Sequence, residues 1–507
     1  MLARVLSGTP WGVETLPVQV EVDAHFGLPQ LQLVGLPDAA VRESRERVRS
    51  AIRHCGYELP PRSVVINLAP ADLRKEGNHL DLAIALAMLA AYEQLPQEAL
   101  DGRLISGELG LDGAVRSVRG GLAIADLGYR LGTREVLLPA ANAPEAAALE
   151  AVPVIGLRGL AEAVQHLIGA DPLLPSPAPP FSGNGWGSMP DLAEVRGQET
   201  AKRALEVAAA GGHNLLFLGP PGSGKTMLAR RLPGLLPPLT LAESIAVTKI
   251  HSLVAEEPPA GLLQQRPFRS PHTGTSTAGM IGGGSNPRPG EASLAHNGVL
   301  FLDELPEFRR DTLEALRQPL EEGTVSVVRA RARLQFPARF SLLAAMNPCP
   351  CGHLGDPRYV CRCPPPLVER YRGRVSGPLL DRIDLHVEVP AVSLKELRSS
   401  AGESTETVAR RIAAARALQL ERFGLGTPTP NNAAMGPEQL RRFCAVDPAG
   451  RTLLDRAFER LGLSARALDR VLKVARTIAD LAGSDAIRAA HLAEAIQYRS
   501  LDRRVVG

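Results

Sequence analysis

The sequence predicts an α/β protein built around a parallel, doubly wound sheet. Three observations predict it. Gly219-Pro220-Pro221-Gly222-Ser223-Gly224-Lys225-Thr226 fits the pattern GxxxxGK[ST], with an apolar strand, NLLFL, before it and a helical segment, TMLARRL, after it. A second apolar run, Val299-Leu300-Phe301-Leu302, ends in the acidic pair Asp303-Glu304. Between 191 and 395 short apolar strands (NLLFLG, GVLFLDEL, FSLLAAMN) alternate with helical segments, the order that buries a parallel sheet on both faces.

Composition sets the frame. At about 150 residues per domain, 507 residues allow two to four domains. With 45% hydrophobic and 22% charged residues, wholly disordered and fibrous chains are excluded. The longest strongly apolar stretch, Leu82 to Ala91, is shorter than the roughly 20 residues a bilayer requires. The N-terminus, MLARVLSGTPWG, lacks a secretory apolar core. The reading is a cytoplasmic protein with no membrane partner. Charge is uneven: residues 1–170 carry 15 Lys+Arg against 20 Asp+Glu, and residues 401–507 carry 17 against 12. A basic second half is compatible with a nucleic-acid partner. Only six residues are Lys, so a Lys in a motif marks a position that requires one.

Elements follow in order. VEVDAHFGLPQLQLVG alternates and reads as strands. Residues 38–56 have helical periodicity and a glycine stop. SVVINLAP (63–70) reads as a buried strand, LDLAIALAMLAAYEQ (80–94) as a core helix. Short strands surround SGELGLDGAV, and a helix runs from Gly121 to Gly128. Residues 171–190, DPLLPSPAPPFSGNGWGSMP, are rich in Pro, Gly and Ser and read as a semi-rigid linker. Residues 404–507 are mostly helical, most plainly ETVARRIAAARALQLERFG and ARALDRVLKVARTIADLAG.

The motifs carry chemistry. Glycines at 219, 222 and 224 let backbone amides wrap phosphates, and the following helix adds its positive end. Lys225 is placed for the β- and γ-phosphates of a nucleoside triphosphate, and Thr226 for Mg²⁺. Asp303 is placed to hold Mg²⁺ through water, and Glu304 to polarise the attacking water. Asn347 ends the strand Phe340 to Met346, where it either positions that water or caps a turn. Cys349, Cys351, Cys361 and Cys363 cluster in NPCPCGHLGDPRYVCRC. Four thiolates match a tetrahedral, structural Zn²⁺, though the C-x-C pairs are tighter than the usual C-x₂-C and leave reduced, metal-free thiols as the alternative. Arg329, Arg331 and Arg333 alternate in TVSVVRARARLQFPARF, as phosphate contacts along one strand face or as a solvated face. Arg42, Arg45, Arg49 and Arg53 form a similar stripe on a helix.

With these residues in place, the second part of the chain resembles AAA+ ATPases of the magnesium-chelatase and MCM helicase branch. The strings VRGQETAKRALEVAAAGGHNLLFLGPPGSGKT, GEASLAHNGVLFLDELPEF and SGPLLDRIDLHVEV carry the likeness. Nearly the whole chain resembles the magnesium-chelatase-like ComM/YifB family. The resemblance implies an AAA+ core at 191–395 and a C-terminal helical lid at 396–507. It assigns Asn347 to the sensor-1 position, Arg382 in LLDRIDL to an arginine finger acting on a neighbouring copy, and Arg466 in LSARALDRVLK to sensor 2. It implies a homo-hexamer and a pore-facing insert around Met280 and Ile281. Residues 1–170 resemble the peptidase domain of Lon proteases through ADLRKEGNHLDLAIALAML and SGELGLDGAVRSVRGGLAIADLGY. The serine position falls on His79 and the lysine position on Leu122 or Ala123, and Lys75 is the only Lys in the segment. Without a nucleophile and its base, peptide hydrolysis has no chemistry to use. The function implied is an ATP-driven hexameric helicase that promotes branch migration of single-stranded or branched DNA during recombination in natural transformation. A magnesium-chelatase-like metal-insertion motor and a protein-remodelling motor are the alternatives.

Overall fold

The computed structural model describes residues 1–499 apart from 76, 182–188, 285–286, 330–331, 357, 399–400, 425–428 and 462–463. The first sheet grows from a long hairpin. β1 (Leu2–Trp11) and β2 (Glu14–His25) pair antiparallel from Leu2↔Asp23 to Trp11↔Glu14. Alternation in β2 buries Val18, Val20, Val22 and Ala24 on one face. β3 (Gln30–Val34), β4 (Ser63–Ala69), β5 (Arg103–Ile105), β8 (Glu135–Pro139) and β9 (Val154–Leu157) complete a seven-stranded sheet in the order β3-β4-β2-β1-β5-β8-β9. A two-stranded hairpin, β6 (Glu108–Leu109) and β7 (Val115–Arg116), stands apart.

Helix α1 (Ala39–His54) starts where the Asp38 carboxylate accepts the Val41 amide at 2.8 Å. Its Val41, Ser44, Val48, Ala51 and Ile52 lie on one buried stripe. The arginines on its other face include Arg42 and Arg45, whose guanidinium groups donate to carbonyls of α1's own first turns. Helix α2 (Asp81–Ala91) is apolar all round and buried all round. One expectation is corrected here: in β4 only Val64, Ile66 and Leu68 are buried, so the 63–70 strand has one covered face rather than two.

The second sheet is parallel throughout. β10 (Leu215–Leu218), β11 (Phe268–Arg269), β12 (Val299–Leu302), β15 (Ser341–Met346) and β16 (Leu385–Glu388) lie in the order β11-β12-β15-β10-β16. Every residue of β10 and β12 is buried, as a strand covered on both faces demands. Between β12 and β15 a separate hairpin, β13 (Thr324–Arg329) and β14 (Ala332–Pro337), projects. The arginine row is therefore not one strand face. Val328 pairs with Arg333 and Arg329 with Ala332, which puts Arg329 and Arg333 on opposite strands near the turn, and Arg331 lies outside the described residues.

One face of this sheet packs against α4 (Glu199–Gly211) and the C-terminal helices α7 (Thr405–Phe423), α8 (Ala465–Leu481) and α9 (Ala489–Gln497). Leu205, Ala209, Phe217, Phe301, Ile412, Val474, Ile478 and Leu492 belong to one continuous apolar cluster. The opposite face carries Leu300, Leu342 and Ala344 with the hairpin's Val325 and Phe336. Between β10 and the next strand, α5 (Lys225–Ala229) is shorter than TMLARRL predicts, and a separate turn of helix, Leu232–Leu235, follows with Pro233 in its first turn. Helix α6 (Leu241–Ser252) carries a full capping box at Thr240 and Glu243.

The two segments meet through the β1–β2 turn and a pair of helices. Trp11 and Val13, at the β1–β2 turn, pack on the cluster beneath the β13–β14 hairpin. The Gly120 amide, capping α3 (Gly121–Arg130), donates to the Ser252 carbonyl at 3.2 Å, and Lys249 pairs with Asp126 at 3.0 Å. No helix among the described residues is long and apolar enough to cross a membrane.

Burial has a consequence for pH. Desolvation holds the imidazoles of His79, His296 and His386 at about 4, about 4 and about 3, with Arg339 adding to the effect at His296 and Arg499 at His386. An unfolded chain takes up these protons near pH 6.5 and the folded chain does not. The unfolded state binds more protons in that window, so their stabilisation is full above about pH 6.5 and declines as pH falls toward 4. Asp81, pushed up to about 6 by burial, acts the opposite way, as does Glu145, also raised by burial. The three imidazoles outweigh them. Thermal melting at pH 5 should come several degrees below that at pH 7.5, and an equal or higher melting point at pH 5 contradicts this reading.

Candidate nucleotide site

The loop from Gly219 to Gly224 turns between β10 and α5. Gly219 has no room for a side chain: a Cβ there would lie 2.0 Å from the Val389 carbonyl oxygen. Gly222 (φ +72) and Gly224 (φ +90) take the left-handed conformation that L side chains avoid, with open space on the Cβ side. The loop is pinned from outside by Gln198, whose amide donates to the Ser223 carbonyl at 3.2 Å and to the Pro390 carbonyl at 2.6 Å. Ser223 Oγ is buried and has no partner.

Lys225 opens α5. Its ammonium donates to the carbonyls of Gly219 at 2.7 Å and Pro220 at 2.9 Å, and to Asn347 Oδ1 at 3.3 Å. Burial draws its pKa down, opposed by Asp303 and Glu304. Beside it, Thr226 Oγ1 donates to Asp303 Oδ2 at 2.7 Å. Glu304 is exposed and sits in the left-handed region at φ +50, a conformation that costs a non-glycine residue about 1–2 kcal/mol. Asp303 Oδ1 accepts the Glu304 amide at 2.9 Å. Thus the ends of three adjacent strands, β12, β15 and β10, deliver Asp303-Glu304, Asn347 and the phosphate loop to one place.

These residues fit a nucleoside triphosphate and Mg²⁺. The loop offers left-handed glycines, a cation seated on weak neutral acceptors, and an orphaned serine hydroxyl. Thr226 and Asp303 already face one another as a hydroxyl–carboxylate pair for the metal.

The remaining candidates fall elsewhere. Arg382 is buried, with its guanidinium on the Pro378 carbonyl at 2.5 Å and on the Glu321 carboxylate, while its Nε has no partner. Both partners are on its own chain, and neither is in the phosphate loop. Arg466 is exposed in the first turn of α8. Met280 does not fit a pore-facing contact: it is 0% exposed, in the short helix Thr277–Ile281 and in the same cluster as Leu302 and Phe308. Ile281 is half-buried against that cluster. An apolar side chain next to an open apolar face buries itself rather than projecting into water.

Three features escaped the sequence. Gln198 was visible only as part of VRGQETAKR. Glu321 had no motif at all. Asp384, two residues after Arg382, gathers a buried network: it meets His213 Nδ1 at 3.1 Å and the Arg470 guanidinium, while His213 Nε2 meets Thr477 Oγ1 at 2.8 Å. Asn214 adds a bond to the Arg382 carbonyl at 2.8 Å and accepts the Leu342 amide at 2.8 Å.

The cysteines converge. Sγ of Cys349 lies 3.4 Å from Cys351 and 3.7 Å from Cys361, and Cys351 lies 3.7 Å from Cys361. With Cys363, all four sulfurs fall within 4.8 Å of one another. Sulfurs at about 2.3 Å from a tetrahedral Zn²⁺ would stand about 3.8 Å apart.

In the first segment, His79 lines a cleft of about 1120 Å³ that is closed on its other side by residues 252–258, 287–289 and Leu334, and its Nε2 is buried without a partner. The nearby Ser106 hydroxyl donates to the His79 carbonyl at 3.0 Å. Leu122 and Ala123 are buried in α3.

The fold and phosphate site define an AAA+ ATPase of magnesium-chelatase type. Family models match along the chain: "Magnesium chelatase, subunit ChlI" over 191–397, "Subunit ChlI of Mg-chelatase" over 20–142, and "Magnesium chelatase, subunit ChlI C-terminal" over 402–499. Protein YifB of Escherichia coli is 46% identical over 498 residues, covering 98% of this chain and 96% of that one. Competence protein ComM of Haemophilus influenzae is 44% identical over 510 residues, covering 99% and 98%. The chain belongs to the magnesium-chelatase-like family of ComM and YifB. A more distant match, DNA repair protein RadA of Escherichia coli, is 28% identical over 159 residues, or 30% of this chain and 32% of that one.

Proposed function

We propose that this protein is an ATP-driven DNA motor that works as a homo-hexamer and moves branch points in recombining DNA. The observation that carries the reading is the assembly of Lys225, Thr226, Asp303, Glu304 and Asn347 at the C-terminal ends of three adjacent strands of the parallel sheet. Lys225 exchanges its loop carbonyls for the β- and γ-phosphate oxygens of bound ATP. Thr226 and Asp303 would hold Mg²⁺, which when bound would neutralise charge on those oxygens. Glu304 polarises the attacking water and Asn347 orients it. The names of two relatives, a competence protein and a DNA repair protein, support DNA as the partner.

Arg382 is the in-trans residue of this scheme. It leaves Glu321 and reaches the γ-phosphate bound by a neighbouring copy, and Arg466 contacts the nucleotide from the lid, residues 396–507. Arg382→Ala should lower hydrolysis about 10³-fold while nucleotide still binds. Mixing Arg382→Ala with Lys225→Ala chains should restore part of the rate, because a Lys225→Ala copy lends its intact arginine to its neighbour's intact site. No recovery on mixing places Arg382 in its own chain's structure instead.

DNA is contacted by the β13–β14 hairpin through Arg329, Arg331 and Arg333, with Ile281 at the insert. Residues 1–170 act as a Lon-like scaffold without peptidase chemistry, joined through 171–190 to the core at 191–395. The resemblance supports this: it puts the serine position on His79, which is no hydroxyl nucleophile, and the lysine position on the apolar Leu122 or Ala123. The four thiols of Cys349, Cys351, Cys361 and Cys363 hold a structural Zn²⁺, their spacing close to that of a tetrahedral site.

The test is ATP-dependent strand exchange on a synthetic branched DNA with purified protein. Movement of the branch by the wild type but not by Glu304→Gln bears the reading out. Healthy ATP hydrolysis with a stationary branch overturns it. Porphyrin-stimulated hydrolysis would then favour the chelatase-like motor that the matched family models are named for.

A further inference from the structure

We propose that the four-cysteine loop is a metal-held brace on the phosphate-binding loop, so that Zn²⁺ loading sets the affinity for nucleoside triphosphate. The inference rests on the four thiolates being the zinc ligands named above, and its subject is what the metal does for the site next to it.

Three contacts tie the cysteine loop to the nucleotide site. Cys349 follows Asn347 by two residues, and Asn347 holds the Lys225 ammonium at 3.3 Å. Gly352, between Cys351 and Cys361, lies flat on the phosphate loop: a Cβ there would stand 2.6 Å from Pro221 Cδ and 2.8 Å from Cγ. Gly352 also has φ +81, so both space and backbone require glycine. Beyond Cys363 the chain enters the helix Pro365–Arg372, which returns to the same place. Arg372 Nε donates to the Pro348 carbonyl at 3.1 Å.

The described residues from 349 to 363 form no helix or strand, and their backbone bonds are two local turns, Gly352 to Cys349 and Asp356 to His353. The segment's side chains bond locally over 353–359, Arg358 to Asp356 and His353 against Tyr359, and a cross-link through the cysteines would tie its two ends together. Its four sulfurs already stand near tetrahedral spacing, with Cys349 buried. One Zn²⁺ bound there, its ligands' thiol protons passing to solvent, would fix both ends of the segment and hold Gly352 against Pro221. Without the metal, the segment and the phosphate loop beneath it relax together, and Asn347 loses its fixed relation to Lys225. The metal touches neither phosphate nor water, so its role is positioning.

The experiment uses the full chain. Zinc is measured by atomic emission, and affinity by titrating a fluorescent ATP analogue with Mg²⁺ present. The wild type should carry one Zn²⁺ per chain. Stripping it with a chelator that spares Mg²⁺ should weaken nucleotide binding about tenfold or more, and adding Zn²⁺ back should restore it. Cys361→Ser should lose both zinc and affinity. Gly352→Ala should keep the zinc and still lose affinity, because it displaces Pro221 without touching a ligand. Circular dichroism and melting check that each form remains folded, and the stripping experiment stands by itself where Cys361→Ser does not fold. Zinc-free wild type overturns the metal assignment. Zinc present but removable with no change in affinity, or unchanged binding by Gly352→Ala, overturns the brace. Tight nucleotide binding in any of these forms leaves the ATPase reading intact, and failure of the metal-loaded wild type to bind nucleotide at all counts against that reading instead.

Discussion

Glu304→Gln should bind ATP as the wild type does and turn it over at least 10²-fold more slowly. The substitution keeps the shape and removes the carboxylate that takes up charge as water attacks, an effect typically worth 10²–10⁴. Geometry makes this a clean test. Glu304 is exposed, and its carboxylate engages no hydrogen bond among the described residues, so the change should leave the fold untouched. Its left-handed backbone is held by the adjoining turn Leu305–Glu307 and by Asp303 Oδ1, which accepts its amide, neither of which the substitution alters. Rapid-quench hydrolysis with a parallel binding titration separates the two quantities. A wild-type turnover rate would move the base to another residue.

Lys225→Ala should abolish both binding and hydrolysis, with affinity lowered by more than tenfold and hydrolysis by about 10³-fold. Two losses combine. The bound phosphates lose a cation that is 9% exposed and screened little by water. The loop loses the donor that the Gly219 and Pro220 carbonyls and Asn347 share. Lys225→Arg separates them, because it retains the charge while its planar head cannot reproduce the three-way donation. Equilibrium binding of a fluorescent nucleotide and steady-state phosphate release report the two effects, and near-normal values for Lys225→Ala would remove this lysine from the site.

The nucleotide site was legible because its requirements are local: glycines at fixed offsets, one lysine in a chain with six, and an acidic pair closing an apolar run. Even the Thr226–Asp303 contact follows once β10 and β12, which flank β15, are taken as parallel. Relations between distant segments were not legible. Nothing near Met280 shows that its Gly- and Ser-rich surroundings fold a short helix back onto β12, so a buried residue read as a projecting one. The arginine row read as a single face because period-two alternation continues unbroken through a hairpin turn. The Arg382–Glu321 pair, the Gln198 clamp and the seating of Gly352 on Pro221 join residues far apart in the chain, and no spacing announces them.

The apolar cluster shared by the ATPase sheet and the C-terminal helices bears on how the chain is made. Phe217 and Phe301 wait for Ile412, Val474, Ile478 and Leu492, the last of which lies 275 positions beyond Phe217. A ribosome therefore releases a nucleotide-binding sheet with one greasy face open until Leu492 has been added. The first sheet closes on partners within its own segment, from Ala3 to Leu167, and is free to fold while synthesis continues. Chains cut between β16 and α8 should consequently be captured by chaperones or precipitate, whereas chains ending just after Leu167, before the second sheet begins, should remain dispersed.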